Sequence, residues 1–201
     1  MDPNTGIPDF ELTMKRFQSK RSQLPTSYVV FDVLRYEDSD LRSLPLLERK
    51  AVLERTITDT PTMSKIAYID GRGEDLWDVI VDRNMEGIVA KRKDGRYHSD
   101  KRTDDFTKVI NYTYVDVQIA DYRKGDFGWV AHYNSRPVGV TELGVSPTHK
   151  QAFYGVAKQL ITGEDREYVY MQPQIKARVK MRNWTKSGML RSPVFVDFIL
   201  A

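Results

Sequence analysis

Met85-Glu86-Gly87-Ile88-Val89-Ala90-Lys91 sets an acidic residue and a lysine at opposite ends of a short apolar run. Ile88 and Val89 are β-branched and favour a strand. Side chains two apart on a strand share a face, so Gly87, Val89 and Lys91 point one way. A strand that is apolar through its middle and ends in lysine carries a cation at the edge of a core. That edge suits a phosphate-bearing ligand, and Glu86 is a candidate ligand for a divalent metal on the same phosphates. The plain alternative is a buried strand whose lysine snorkels to water.

A second stretch carries its own physical signal. From Gln174 to Arg182, Ile175, Ala177, Val179 and Met181 alternate with Lys176, Arg178, Lys180 and Arg182. Period two puts four cations on one face of a strand and the apolar residues on the other. Four like charges on one face repel unless an anion compensates, and DNA phosphate is a natural partner. The competing reading is an edge strand guarded by charge against aggregation. Lysine alone would serve that purpose, yet two of the four are arginine.

The surrounding composition sets bounds. The chain has 201 residues with 40% hydrophobic and 29% charged content, which reads as globular. No apolar run approaches the ~20 residues of a membrane helix, and no signal-peptide pattern opens the chain. With no cysteine, disulfides and thiolate metal sites are excluded; a cytoplasmic location is the expectation. Residues 1–111 hold 19 basic against 20 acidic groups, and residues 112–201 hold 12 against 8. No acidic residue occurs from Tyr168 to Val196. A basic module after a neutral one is a footprint for nucleic-acid binding. His98, His132 and His149 match no metal spacing and are assigned to surface or structural roles.

Residue patterns predict a helix starting at Pro8-Asp9 with Phe10, Met14 and Phe17 on one face, and a buried strand over 28–35. They place a helix over 46–56, a short helix around Leu76–Val81 and the strand at 86–91. After Tyr112 strand-like runs dominate: 114–122, 127–133, 138–143, 168–182 and 189–200, with one helix over 147–159. Strands, one helix and further strands are compatible with a small barrel. The predicted fold class is α+β, with a boundary at 111–114.

These segments, in this order, resemble the ATP-dependent DNA ligases of the covalent nucleotidyltransferase superfamily, most closely the small bacterial and phage ligases and the ligase module of end-joining enzymes. The resemblance rests on Gly6-Ile7-Pro8-Asp9-Phe10, Met14-Lys15-Arg16-Phe17, Tyr28-Val29-Val30-Phe31-Asp32-Val33-Leu34, Pro45-Leu46-Leu47-Glu48-Arg49-Lys50, the opening block and Asp105-Phe106-Thr107-Lys108-Val109-Ile110-Asn111. It extends through Asn183-Trp184-Thr185-Lys186-Ser187-Gly188-Met189-Leu190-Arg191-Ser192-Pro193-Val194-Phe195. The resemblance implies part of an adenylation domain over 1–111 and an oligonucleotide-binding (OB) barrel over 112–201. It implies that Phe31 stacks on adenine, that Glu86 binds metal, and that Lys91 and Lys108 hold phosphate. Composition alone makes Phe31 a core aromatic. ATP and Mg2+ are the implied cofactors and nicked duplex DNA the implied partner, contacted by Lys176, Arg178, Lys180, Arg182, Lys186 and Arg191.

The chain departs from the family pattern. The family's Lys-x-Asp-Gly-x-Arg nucleophile motif is absent. Tyr68-Ile69-Asp70-Gly71-Arg72 has tyrosine at the required position, and Arg92-Lys93-Asp94-Gly95-Arg96 has arginine there. Arginine stays protonated and is no nucleophile. Ile110 replaces the second lysine of the fifth motif, and the Arg-x-Asp-Lys motif that relatives carry near the C-terminus is missing. The expectation is therefore a ligase relative that lacks the segment upstream of Met1 and does not adenylate itself alone. A separately encoded N-terminal segment as partner, a non-catalytic nucleic-acid-binding protein, and an RNA ligase or capping-type nucleotidyltransferase stay open.

Overall fold

The structure is a computed structural model and describes residues 9–200. Residues 1–8, among them the Gly6, Ile7 and Pro8 that open the first resembling segment, lie outside the described residues. Asp9 starts α1, Phe10–Gln18, by accepting the Leu12 N–H at 3.0 Å, which satisfies one of the orphan donors of a helix start. Phe10, Met14 and Phe17 are all exposed, and α1 buries none of its residues.

The strand expected over 28–35 stops early. β1 is Tyr28–Val30. Asp32 then turns the chain: its Oδ1 accepts the Val33 N–H at 2.8 Å while its carboxylate pairs with Arg49. β2, Arg35–Tyr36, folds back on β3, Ser39–Asp40. The helix expected over 46–56 is α2, Leu46–Thr56. β4, Met63–Lys65, pairs in parallel with β1. The expectation of burial over 28–35 is corrected: Tyr28, Val29 and Phe31 are exposed, because β1 has one paired strand among the described residues. Then come α3, Gly73–Asp82, β5, Gly87–Lys91, and β6, Phe106–Ile110, the last two forming a two-stranded ribbon.

Two compact units emerge. One comprises the described residues up to Leu76 with Val89–Lys108; the other comprises Trp77–Ile88 with the described residues from Val109 onward. In the first, Leu41, Leu46 and Leu53 are buried around Arg49, whose side chain is wholly enclosed. Its guanidinium meets Asp32 through two bonds of 2.9 Å and donates to the carbonyls of Leu44 and Gly95 at 2.6 and 3.2 Å. A buried charge survives only with such complete pairing.

The second unit is built on β7, Thr113–Arg123, β8, Trp129–Tyr133, β9, Arg136–Thr141, α4, Pro147–Ala157, β10, Ile161–Glu164, β11, Tyr168–Met181, and β12, Val194–Phe198. The antiparallel order is β10-β11-β7-β8-β9, with β12 pairing β11. Leu143, just past β9, bridges Val194 in β12, and its carbonyl accepts the Phe195 N–H at 2.9 Å. The sheet thus comes round on itself as β7-β8-β9-β12-β11, with α4 between β9 and β11 along the chain, as an OB barrel requires. Gly144 permits the closure: at φ 82° a Cβ there would run into the Phe195 carbonyl. Trp129 lies at the centre, its ring centroid 4.3 Å from Phe153 and 5.4 Å from Phe195. Among the described residues no helix is long and apolar enough to cross a membrane.

Candidate functional site

β5 and β6 bring together the candidate nucleotide residues of the first unit. Arg92 N donates to the Asp105 carbonyl, and Asn111 N donates to the Glu86 carbonyl, each at 2.9 Å. Both bonds fit one antiparallel register, which sets Lys91 opposite Phe106 and Val89 opposite Lys108. Residues opposite each other on paired strands share a face, so Lys91, Phe106, Val89 and Lys108 form one surface. Phe31 joins it from beyond β1. The Lys91 ammonium sits 4.5 Å from the Phe31 ring centroid and 4.6 Å from that of Phe106. Cations over ring faces are attracted by the ring quadrupole.

Phe31 is 55% exposed, so the reading of it as a core aromatic is corrected. Its ring is offered to solvent immediately before Asp32, which the buried Arg49 holds in place. Burial pushes the Lys91 pKa down, helped by the nearby charges of Lys50 and Arg49 and opposed by Asp32. Burial lowers Lys50 as well, against Asp32 and Glu54, and its ammonium lies 4.7 Å from the Tyr68 ring centroid. Lys108 is exposed. An open aromatic face flanked by crowded cations favours a flat, anionic ligand.

In the second unit, β11 shows the alternation expected of it. Ala177, Val179 and Met181 are buried to 1% exposure or less, while Lys176 and Arg178 are exposed and Lys180 and Arg182 half-buried. Two of the four cations meet carboxylates of the protein itself, and for those two the expectation of an external anion is corrected. Asp116 on β7 binds Arg178 through bonds of 2.8 and 3.1 Å, holding its own carboxyl below the usual range. The Lys180 ammonium lies 4.7 Å from the Tyr112 ring centroid. Glu86, which belongs to this unit, accepts from Arg182 at 2.6 Å and from Arg191 at 3.3 Å. Lys186 is exposed in the hairpin that follows.

Glu86 was expected to hold a metal. Both its oxygens face guanidinium groups, and among the described residues no cluster of three or more His, Asp or Glu could hold an ion. The residues present do not fit a resident metal in this arrangement. The histidines take structural or surface places: His132 Nε2 lies 2.8 Å from Asp121, His149 Nδ1 lies 3.0 Å from Ser146 Oγ, and His98 is exposed.

Four residues have roles that sequence reasoning did not assign. Phe106 completes the aromatic slot, and the β5–β6 register would have found it. Arg49 and Asp32 support Phe31, but a charged pair 17 positions apart carries no local signal. Gly87 has a backbone reason to lie between Glu86 and the apolar run: at φ 145° a Cβ there would strike the Val109 carbonyl.

The family model described as ATP dependent DNA ligase domain matches residues 2–109. The chain is similar to the SPbeta prophage-derived DNA ligase-like protein LigB of Bacillus subtilis, at 37% identity over 191 residues, covering 94% of this chain and 69% of that protein. It is also similar to the multifunctional non-homologous end joining DNA repair protein LigD of Mycobacterium tuberculosis, at 22% identity over 94% of this chain but only 27% of LigD. The crystal structure of the LigD ligase domain matches with a TM-score of 0.51 at 20% identity, covering 98% of this chain and 69% of that one. At that identity the likeness concerns the fold, and the α+β arrangement here is that of a ligase domain.

Proposed function

This chain belongs to the ATP-dependent DNA ligase family, and from that premise we propose that it supplies nucleotide- and DNA-binding surfaces for the sealing of nicks. The observation that carries the nucleotide reading is the Lys91 ammonium set between the rings of Phe31 and Phe106. A purine stacks on the exposed face of Phe31, which any π-surface accepts. Lys91 and Lys108, on one face of the ribbon, counter the phosphate charge as mobile point charges. As pyrophosphate leaves, that positive charge stabilises the charge building on the phosphate oxygens.

The attack on the α-phosphorus needs a neutral amine. It forms a P–N bond while the bond to pyrophosphate breaks. No lysine of the 201 residues stands in a Lys-x-Asp-Gly frame, so the reading assigns that amine to a segment outside these residues, carried in the same polypeptide or by a partner chain. Magnesium is expected to arrive with the nucleotide phosphates, and no step here runs through it.

The DNA reading is supported by the cationic face of β11 with Arg191. Nicked duplex is the proposed ligand, and phosphate contacts dominate. The test is a salt series of binding to a 5′-phosphorylated nicked duplex. Log affinity should fall against log salt with a slope of about −0.9 per phosphate neutralised. Changing Lys176, Arg178, Lys180 and Arg182 together to Gln should flatten it. An unchanged slope would mean that this face meets something else, and equal binding to nicked RNA would favour an RNA-sealing relative. A second reading, binding without catalysis, is favoured by the same missing motif; it predicts DNA binding with no adenylation under any supplementation.

A further inference from the structure

The hairpin after β11 brings two arginines onto adjoining strands. Arg182 N donates to the Arg191 carbonyl and Arg191 N to the Asn183 carbonyl, both at 3.1 Å. Trp184 and Leu190 continue the pairing, and Thr185 closes the turn by accepting the Gly188 N–H at 3.0 Å. The backbone therefore holds the two arginines on adjoining strands, and both guanidinium groups reach the same carboxylate. Like charges placed this way repel, and an anion relieves them.

The anion present is Glu86. One of its oxygens faces Arg182 at 2.6 Å and the other faces Arg191 at 3.3 Å. A carboxylate that gives one oxygen to each of two guanidiniums is the side-chain counterpart of a phosphodiester, whose two non-bridging oxygens bind arginines in the same way. The three side chains are 31%, 22% and 50% exposed for Arg182, Arg191 and Glu86 respectively. Solvent reaches the cluster and the pair can exchange.

We propose that Arg182 and Arg191 form a two-arginine phosphate site which Glu86 occupies in the free protein, so that a nucleic-acid phosphate must displace the Glu86 carboxylate to bind. The contact is autoinhibitory: it lowers the share of protein whose site is open, and apparent affinity falls by that share. Partly exposed ion pairs are weak and screened, so the brake is modest, about three- to tenfold at low salt. The proposal rests on the DNA reading above for its physiological ligand, but the anion site itself does not.

The experiment compares the full chain with Glu86→Gln, Arg182→Gln, Arg191→Gln, both double variants carrying Glu86→Gln, and, as a charge-matched control, Asp126→Asn at an exposed position between β7 and β8. Two probes are used: a 5′-phosphorylated nicked duplex by fluorescence anisotropy, and inorganic phosphate followed on the arginine Nε–H resonances. Glu86→Gln should bind both probes about three- to tenfold more tightly, with Asp126→Asn unchanged. The gain should vanish when either arginine is also replaced. Damage to the fold would weaken binding, so tightening distinguishes competition from a structural role. Unchanged or weaker binding by Glu86→Gln overturns the proposal, as does an equal gain from Asp126→Asn or a gain that survives Arg182→Gln. Tighter phosphate binding by Glu86→Gln without any DNA binding by the unaltered chain would uphold the anion site and refute the DNA reading.

Discussion

Arg49→Met removes a wholly buried guanidinium while keeping most of the aliphatic stem. The guanidinium makes four bonds, two to Asp32 and one each to the Leu44 and Gly95 carbonyls. The Asp32 side chain is 4% exposed, so the substitution strands a carboxylate out of water and leaves two carbonyls without their donor. Breaking one partner of a buried pair costs about 3–5 kcal/mol. That is comparable to the whole stability of a small domain. Tryptophan fluorescence will not report the loss, because Trp77, Trp129 and Trp184 all belong to the other unit. The assay is native-state hydrogen exchange, read as the opening free energy of amides in α2. Protection there should fall by about 3–5 kcal/mol, or to nothing if the unit is less stable than that, while β7 and β8 keep theirs. Replacing Asp32 by Ala as well should restore part of it, because the stranded charge is then gone. Protection in α2 within about 0.5 kcal/mol of the unaltered chain, the usual range of surface changes, would refute the role given to this pair.

Phe31→Ala should weaken ATP binding measured by calorimetry while leaving α2 protection within about 1 kcal/mol, because the ring is exposed; a loss of about 3–5 kcal/mol would return Phe31 to the core. Lys91 gives a pH dependence. Its folded-state pKa lies below the ordinary 10.5 through burial first, then Lys50 and Arg49. Between the folded and unfolded values the unfolded chain holds a proton that the folded chain does not, so stability should rise with pH across that alkaline window. Lys91→Met should reduce that rise in the exchange-derived stability of the first unit, leaving the share that comes from the lowered Lys50; an identical pH slope would contradict the burial of the ammonium.

Where local pattern decides structure, the residues announce it. The period-two alternation of β11 needs only the 174–182 segment, and Ala177, Val179 and Met181 are buried as that period requires. Ser146, Pro147 and the helix that follows carry a start signal of the ordinary kind. What stayed hidden depends on partners distant in sequence. The 28–35 segment has the composition of one strand, but Asp32 leaves it for an arginine on α2, and the strand ends at Val30. Glu86 sits where a metal ligand was expected, yet its partners lie 96 and 105 positions away. No periodicity encodes those pairings. The four cations of β11 implied an external anion because Asp116, on a strand 62 positions earlier, is visible only once β7 and β11 are paired.

The central claim is that these residues bind the nucleotide and the DNA while the attacking amine lies outside them. It is tested most directly by incubating residues 1–201 with magnesium and ATP labelled at the α-phosphate, alone and with an added segment carrying a Lys-x-Asp-Gly motif, followed by denaturing electrophoresis. No labelled band is expected for residues 1–201 alone, and the label on the added segment should depend on Phe31 and Lys91. A labelled band from residues 1–201 alone would contradict it and would locate a nucleophile within the chain, with the crowded Lys91 the first residue to map.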